Sequence, residues 1–118
     1  MNEKLFKDRT NKFAFVVIHL VEELKRTQAM VVIARQLLRS ATSVGANYRA
    51  ACRGKCTANV LAKLAIVEEE ADESIYWLEL LVDSELVPNG RVAEIMKEGN
   101  EITAMTVASI KTLRMKRQ

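Results

Sequence analysis

Apolar side chains recur three and four residues apart along most of the chain, the period that gathers them on one face of an α-helix. The first such segment, from about Leu5 to Arg26, aligns Phe13, Val16, Val17, Leu20, Val21 and Leu24. A second, from about Ala29 to Arg53, aligns Ala34, Leu37, Ala41, Val44 and Tyr48, with Ile33 and Leu38 widening the stripe. Thr57 is placed to cap a third, which carries Val60, Leu64, Val67, Ala71, Ser74, Leu78 and Leu81 and runs to about Ser84. After the break at Pro88, Asn89 and Gly90, a last helix turns Val92, Ile95, Met96, Ile102, Thr106, Ile110 and Leu113 inward. Its basic end, residues 111–118, is expected to form a tail that frays. Thr27 and Gly54 mark the two earlier turns. No stretch alternates in the manner of a half-buried strand. The pattern predicts an all-α antiparallel up-down-up-down four-helix bundle, with residues 1–118 as a single domain that buries roughly two thirds of its unfolded surface.

The middle of the second helix is slim, with Ser40, Ala41, Ser43, Gly45, Ala46, Ala50 and Ala51 in close succession. Gly45 in a helix interior costs about 1 kcal/mol relative to Ala, so a close neighbour is expected there. Ala46, Leu61, Ile66 and Ile75 fall off the inner faces and call for another surface, which a ring or dimer of identical copies supplies. Met30 and Met115 read as packing at helix ends.

Charge changes the picture more than composition does. Residues 24–67 carry Lys25, Arg26, Arg35, Arg39, Arg49, Arg53, Lys55 and Lys63 and no acid, whereas residues 68–101 hold eleven acids against Arg91 and Lys97. The formal net charge of +3 hides this separation. Such segregation can attract a polyanion or pair a basic helix with an acidic one inside an assembly. On the second helix Arg35, Arg39, Arg49 and Arg53 share one line with Thr42 and Ala46, about 27 Å long at 1.5 Å per residue. Guanidiniums so arranged can bridge phosphates. The plainer alternative, and the stronger one on the residues alone, is a solvated face or salt bridges between subunits, because no aromatic platform stands among them.

The third helix sets Glu70 and Glu73 between Ile66 and Trp77 on one stripe, where they need donors; Arg39 and Asn47 are the candidates, and a structural polar network is preferred to acid–base catalysis. His19 reads as a helix-surface or boundary residue, and Cys52 and Cys56 as reduced, packed thiols. Neither a phosphate-binding glycine loop nor a Glu-x-x-His pair for a di-metal centre occurs. No catalytic residue, cofactor or metal is expected. With no membrane-spanning run and no signal-peptide core, the expected location is the cytoplasm.

The run Leu38-Arg39-Ser40-Ala41-Thr42-Ser43-Val44-Gly45-Ala46-Asn47, then Lys63-Leu64-Ala65-Ile66, Glu70-Ala71-Asp72-Glu73 and Tyr76-Trp77-Leu78-Glu79-Leu80-Leu81 closely resembles the bacterial four-helix-bundle proteins encoded in intervening sequences of 23S ribosomal RNA genes. That resemblance spans nearly the whole chain and implies a small bundle that assembles into a homopentameric ring. The family is similar in turn to the accessory variability determinant of diversity-generating retroelements, a basic pentamer that associates with a reverse transcriptase and nucleic acid. By that analogy RNA or DNA would meet Arg35, Arg39, Arg49, Arg53, Lys55 and the tail residues Lys111, Arg114, Lys116 and Arg117, alongside an unidentified protein partner. Where many relatives carry Glu, this chain has Ala50, which removes one polar partner and leaves Arg49 more available. The resulting expectation is a non-enzymatic oligomeric bundle that binds nucleic acid through basic surfaces, with a protein-interaction scaffold as the alternative.

Overall fold

The computed structural model describes residues 2–117, and of Arg117 only the backbone. Four helices follow in order: α1 (Glu3–Glu23), α2 (Gln28–Cys52), α3 (Thr57–Asp83) and α4 (Asn89–Arg117). Asn2 starts α1 by accepting the Leu5 amide at 3.0 Å, and Thr27 starts α2 by accepting that of Met30 at 3.3 Å. Because Leu24 turns extended, α1 stops short of Arg26. Thr57 is the first residue of α3 and not its cap: Cys56 holds the capping position without a side-chain bond, its carbonyl receiving the Val60 amide at 3.1 Å. Beyond α3, Glu85 adopts φ 62° and the amides of Leu86 and Val87 both reach the Leu81 carbonyl, which folds Val87 into the core. The fourth helix begins at Asn89 and runs to Arg117, so residues 111–117 continue it; residue 118 lies outside the described residues.

Connections this short force each helix to run back along its predecessor. Contacts bear out the directions: Phe6 of α1 meets Tyr48 of α2 edge to face, Ser40 of α2 meets Ser74 of α3, and Glu23 and Arg9 of α1 reach Arg91 and Glu98 of α4. The rod measures 49 × 20 × 20 Å. Its broadest interface is α2 on α3 and its narrowest is the α1–α4 seam, and among the described residues the backbones of diagonal helices do not come close.

A single apolar cluster draws on all four helices, with Phe6, Phe13, Leu37, Leu78, Leu81 and Ile102 wholly buried. Most of the expected inner stripes lie in it. Val16 does not: it sits at the margin of α1, 36% exposed, while Phe6 and Thr10 extend the true inner face toward the N-terminus. Ile75 is a core residue and not a leftover surface position, because Gly99 of α4 comes so near that a Cβ there would stand 3.2 Å from Ile75 Cγ1. Met30 is buried as expected, but Met115 is 75% exposed on the last turns of α4. Ser40 and Ser74, both fully buried, hydrogen-bond one another at 2.9 Å between α2 and α3. Gly45 faces the α1 backbone at Thr10, with room for a methyl group.

Candidate nucleic-acid interface

Antiparallel packing brings the start of α1, the end of α2, the start of α3 and the end of α4 to one pole of the rod. A groove there confirms the convergence, being lined by Glu3 of α1, Tyr48 and Cys52 of α2, Val60 of α3 and Lys116 of α4. Around this pole stand Lys4 and Lys7, then Arg49, Arg53 and Lys55, then Lys63, and finally Lys111, Arg114 and Lys116. All are exposed, and among the described residues none of them makes an ion pair. The nearby acids are Glu3 and Asp8. The opposite pole gathers Glu22, Glu23, Glu79, Asp83, Glu85 and Glu94 alongside Lys25, Arg26 and Arg91. Folding thus converts charge separation along the chain into charge separation along the rod.

Of the residues expected to meet nucleic acid, Arg49, Arg53, Lys55, Lys111, Arg114 and Lys116 share this pole, and the side chain of Arg117 lies outside the described residues. Arg35 is exposed but stands about 21 Å from Arg49 along the helix axis. Arg39 is committed elsewhere: its guanidinium donates to Glu70 at 2.8 Å, to Glu73, and to Gln36 at 3.3 Å. It is therefore not the free cation that a line of four arginines implied. Lys4 and Lys7 of α1 and Lys63 of α3 join the pole although the two helices lie far apart in sequence. Their signal was available only in the antiparallel order of the helices.

The polar network holds Arg39, Glu70 and Glu73 together but leaves Asn47 out, since the Asn47 amide donates to the Ser43 carbonyl one turn back in its own helix at 2.9 Å. Trp77 takes the place expected for Asn47, its indole N–H donating to Glu73 at 3.0 Å. That indole bond, with Arg39 reinforcing it against partial burial, holds the Glu73 carboxyl below its ordinary pKa. The bond to Glu73 likewise raises Arg39. A second clasp spans the α1–α4 seam, where Arg9 binds Glu98 through two nitrogens at 2.6 and 2.9 Å and Glu101 at 3.0 Å. Bonding to Glu98 is the main reason the Arg9 guanidinium is raised.

The groove at the basic pole has a volume of about 530 Å³. Burial raises the Tyr48 hydroxyl, with Cys52 beside it, and burial followed by the Glu3 carboxylate raises the Cys52 thiol. A thiol shifted this way is less reactive than a free one. Cys52 and Cys56 are unbonded, Cys56 is exposed and not packed as expected, and His19 is exposed on α1. Among the described residues no three His, Cys, Asp or Glu side chains are grouped to hold a metal ion. No helix among them is long and apolar enough to cross a membrane.

Comparison with known proteins gives the chain its relatives. The family model for the 23S rRNA-intervening sequence protein matches residues 5–108. The crystal structure of a protein of unknown function from the S23 ribosomal protein family of Bacteroides thetaiotaomicron superimposes with a TM-score of 0.87 at 35% identity, covering 94% of this chain and 99% of that one. No curated protein matches. With an all-helical fold, a near-complete structural relative and a family match over most of its length, the chain belongs to the 23S rRNA-intervening sequence protein family.

Proposed function

We propose that this protein is a non-catalytic accessory subunit that self-associates, as a homopentameric ring, and binds RNA or DNA electrostatically through the basic pole. The observation that carries this is the concentration of exposed, unpaired cations contributed by all four helices at one end of the rod. Each ammonium or guanidinium that meets a phosphate releases a condensed counterion, so cations grouped on one surface act together on a polyanion. Self-association is supported by the outer faces of adjacent helices. Arg35 projects from α2 beside the exposed Val31 and Val32, whereas Glu69, Asp72, Glu79 and Asp83 project from α3. Head-to-tail contact between copies would pair those signs, and repetition of such a contact closes a ring.

The test is retention of labelled RNA or DNA at about 50 mM salt and its release at several hundred millimolar, with oligomer size followed by light scattering. Arg49→Ala/Arg53→Ala should weaken retention while leaving the oligomer intact. Failure of the wild-type protein to bind at low salt refutes the proposal. A pure protein-interaction scaffold is the second reading, favoured by Phe15 and Val32, which are 54% and 58% exposed on α1 and α2 and have no role in phosphate contact.

A further inference from the structure

We infer that the groove at the basic pole receives one unpaired base of a single strand, with the flanking phosphates lying on the cations around its mouth. This rests on the nucleic-acid reading above and narrows its substrate. The walls are largely apolar, with Val60 and Leu64 from α3 and Met105, Ala108 and Leu113 from α4. Tyr48 contributes to the floor, its ring already held edge to face by Phe6 at a centroid distance of 4.5 Å. A volume of about 530 Å³ leaves room for a flat heteroaromatic ring.

The charges decide which part of a nucleotide enters. The acidic side chain lining the groove is that of Glu3, which disfavours phosphate but can accept hydrogen bonds from ring N–H and exocyclic amino groups. Lys116 stands on the lining, and Arg49, Arg53, Lys55 and Lys111 surround the same pole, where they attract phosphate instead. A base enters and its backbone stays outside. In a duplex the base faces are stacked and the pairing edges are occupied, so only an unpaired base can make this contact without the cost of extrusion.

The test measures fluorescence anisotropy of a labelled single-stranded RNA, the same strand annealed to its complement, and the mononucleotide as competitor. Ala108→Leu and Thr112→Leu each fill the groove from exposed positions of α4 without altering charge, and circular dichroism verifies that each variant folds. Both should weaken single-strand binding roughly tenfold, toward the lower end of what one held base contributes, and change duplex binding less than about twofold. Arg53→Glu/Lys55→Glu should weaken both ligands. Unchanged single-strand affinity in the filled variants, with binding lost in the charge variant, overturns the groove assignment and leaves the basic pole standing. Equal losses for strand and duplex in the filled variants also overturn it. Mononucleotide competition that depends on Ala108 while strand binding does not would overturn the single-strand assignment. Full binding by the charge variant removes the underlying nucleic-acid reading itself.

Discussion

Replacing Gly45 by Ala should stabilise this protein, although the slimness of α2 suggests the reverse. A Cβ at Gly45 would meet the Thr10 carbonyl oxygen at 3.6 Å and the Thr10 carbonyl carbon and hydroxyl at 3.7 Å, all ordinary van der Waals separations. The backbone of α1 therefore need not move. Alanine restricts the unfolded chain and favours a helix interior by about 1 kcal/mol over glycine, and the new methyl contacts add to that gain. For a domain of this size the expected rise in Tm is roughly 3–5 °C. Gly54 supplies the contrast, since a Cβ there would stand 2.6 Å from Val60 Cγ2 and 3.1 Å from the Ala51 carbonyl. Gly54→Ala should cost about 1–3 kcal/mol, as overpacking does. In a Val60→Ala background part of that loss should return, because only the backbone contacts remain. Urea unfolding followed by far-UV circular dichroism, at one protein concentration and with m-values compared, reads all four variants. Destabilisation of Gly45→Ala by about 1 kcal/mol at unchanged m would show that another surface, from α1 or from a second copy, already occupies the space.

Two further predictions address the buried polar contacts. Each hydroxyl also has a backbone acceptor in its own helix, the Leu37 carbonyl at 3.1 Å for Ser40 and the Glu70 carbonyl at 2.9 Å for Ser74, so one proton bridges the pair while the other serves its carbonyl, and either serine left alone returns to its own. A double-mutant cycle of Ser40→Ala and Ser74→Ala should give a coupling of about 0.5–1.5 kcal/mol, and additivity within ~0.3 kcal/mol would exclude a net contribution from the bridge. For Glu73, the indole and guanidinium bonds lower the folded pKa, so its contribution is fully present above the ordinary carboxylate range and is lost as pH falls through the depressed value. Glu73→Gln should therefore flatten the stability profile below about pH 4.5. Because Arg39 is 46% exposed and Glu73 35%, the difference should stay within about 1 kcal/mol at moderate salt, and an identical acid limb in the two proteins would contradict it.

Periodicity makes the four helices legible, and with them the core from Phe13 through Ile110, because three-four spacing depends only on local geometry. Phe6 and Thr10 continue the α1 stripe backward by the same rule, but a polar Thr and a charged flank conceal it. Ile75 is buried through the close approach of Gly99 on another helix, a fact that α3 alone does not carry. Asn47 stands within a helix turn of a backbone acceptor, the Ser43 carbonyl, which wins over carboxylates on another helix, a competition common to short polar side chains in helices. The basic pole is the main feature hidden from a face-by-face reading. Arginines on one line of α2 draw attention, yet Arg35 and Arg39 are separated from the pole by distance and by pairing, while Lys4, Lys7 and Lys63 enter it only when helix ends are superposed.

The narrow α1–α4 seam fixes an order of events during synthesis. Arg9 emerges well before its carboxylate partners, which lie 89 and 92 positions later. Glu23 waits 68 positions for Arg91. Until those residues leave the ribosome, α1 can rest only on α2, with its remaining flank bare. The newborn chain must carry a detachable α1 while the stretch up to those partners is translated, and a neighbouring nascent copy could lend or borrow it during that interval.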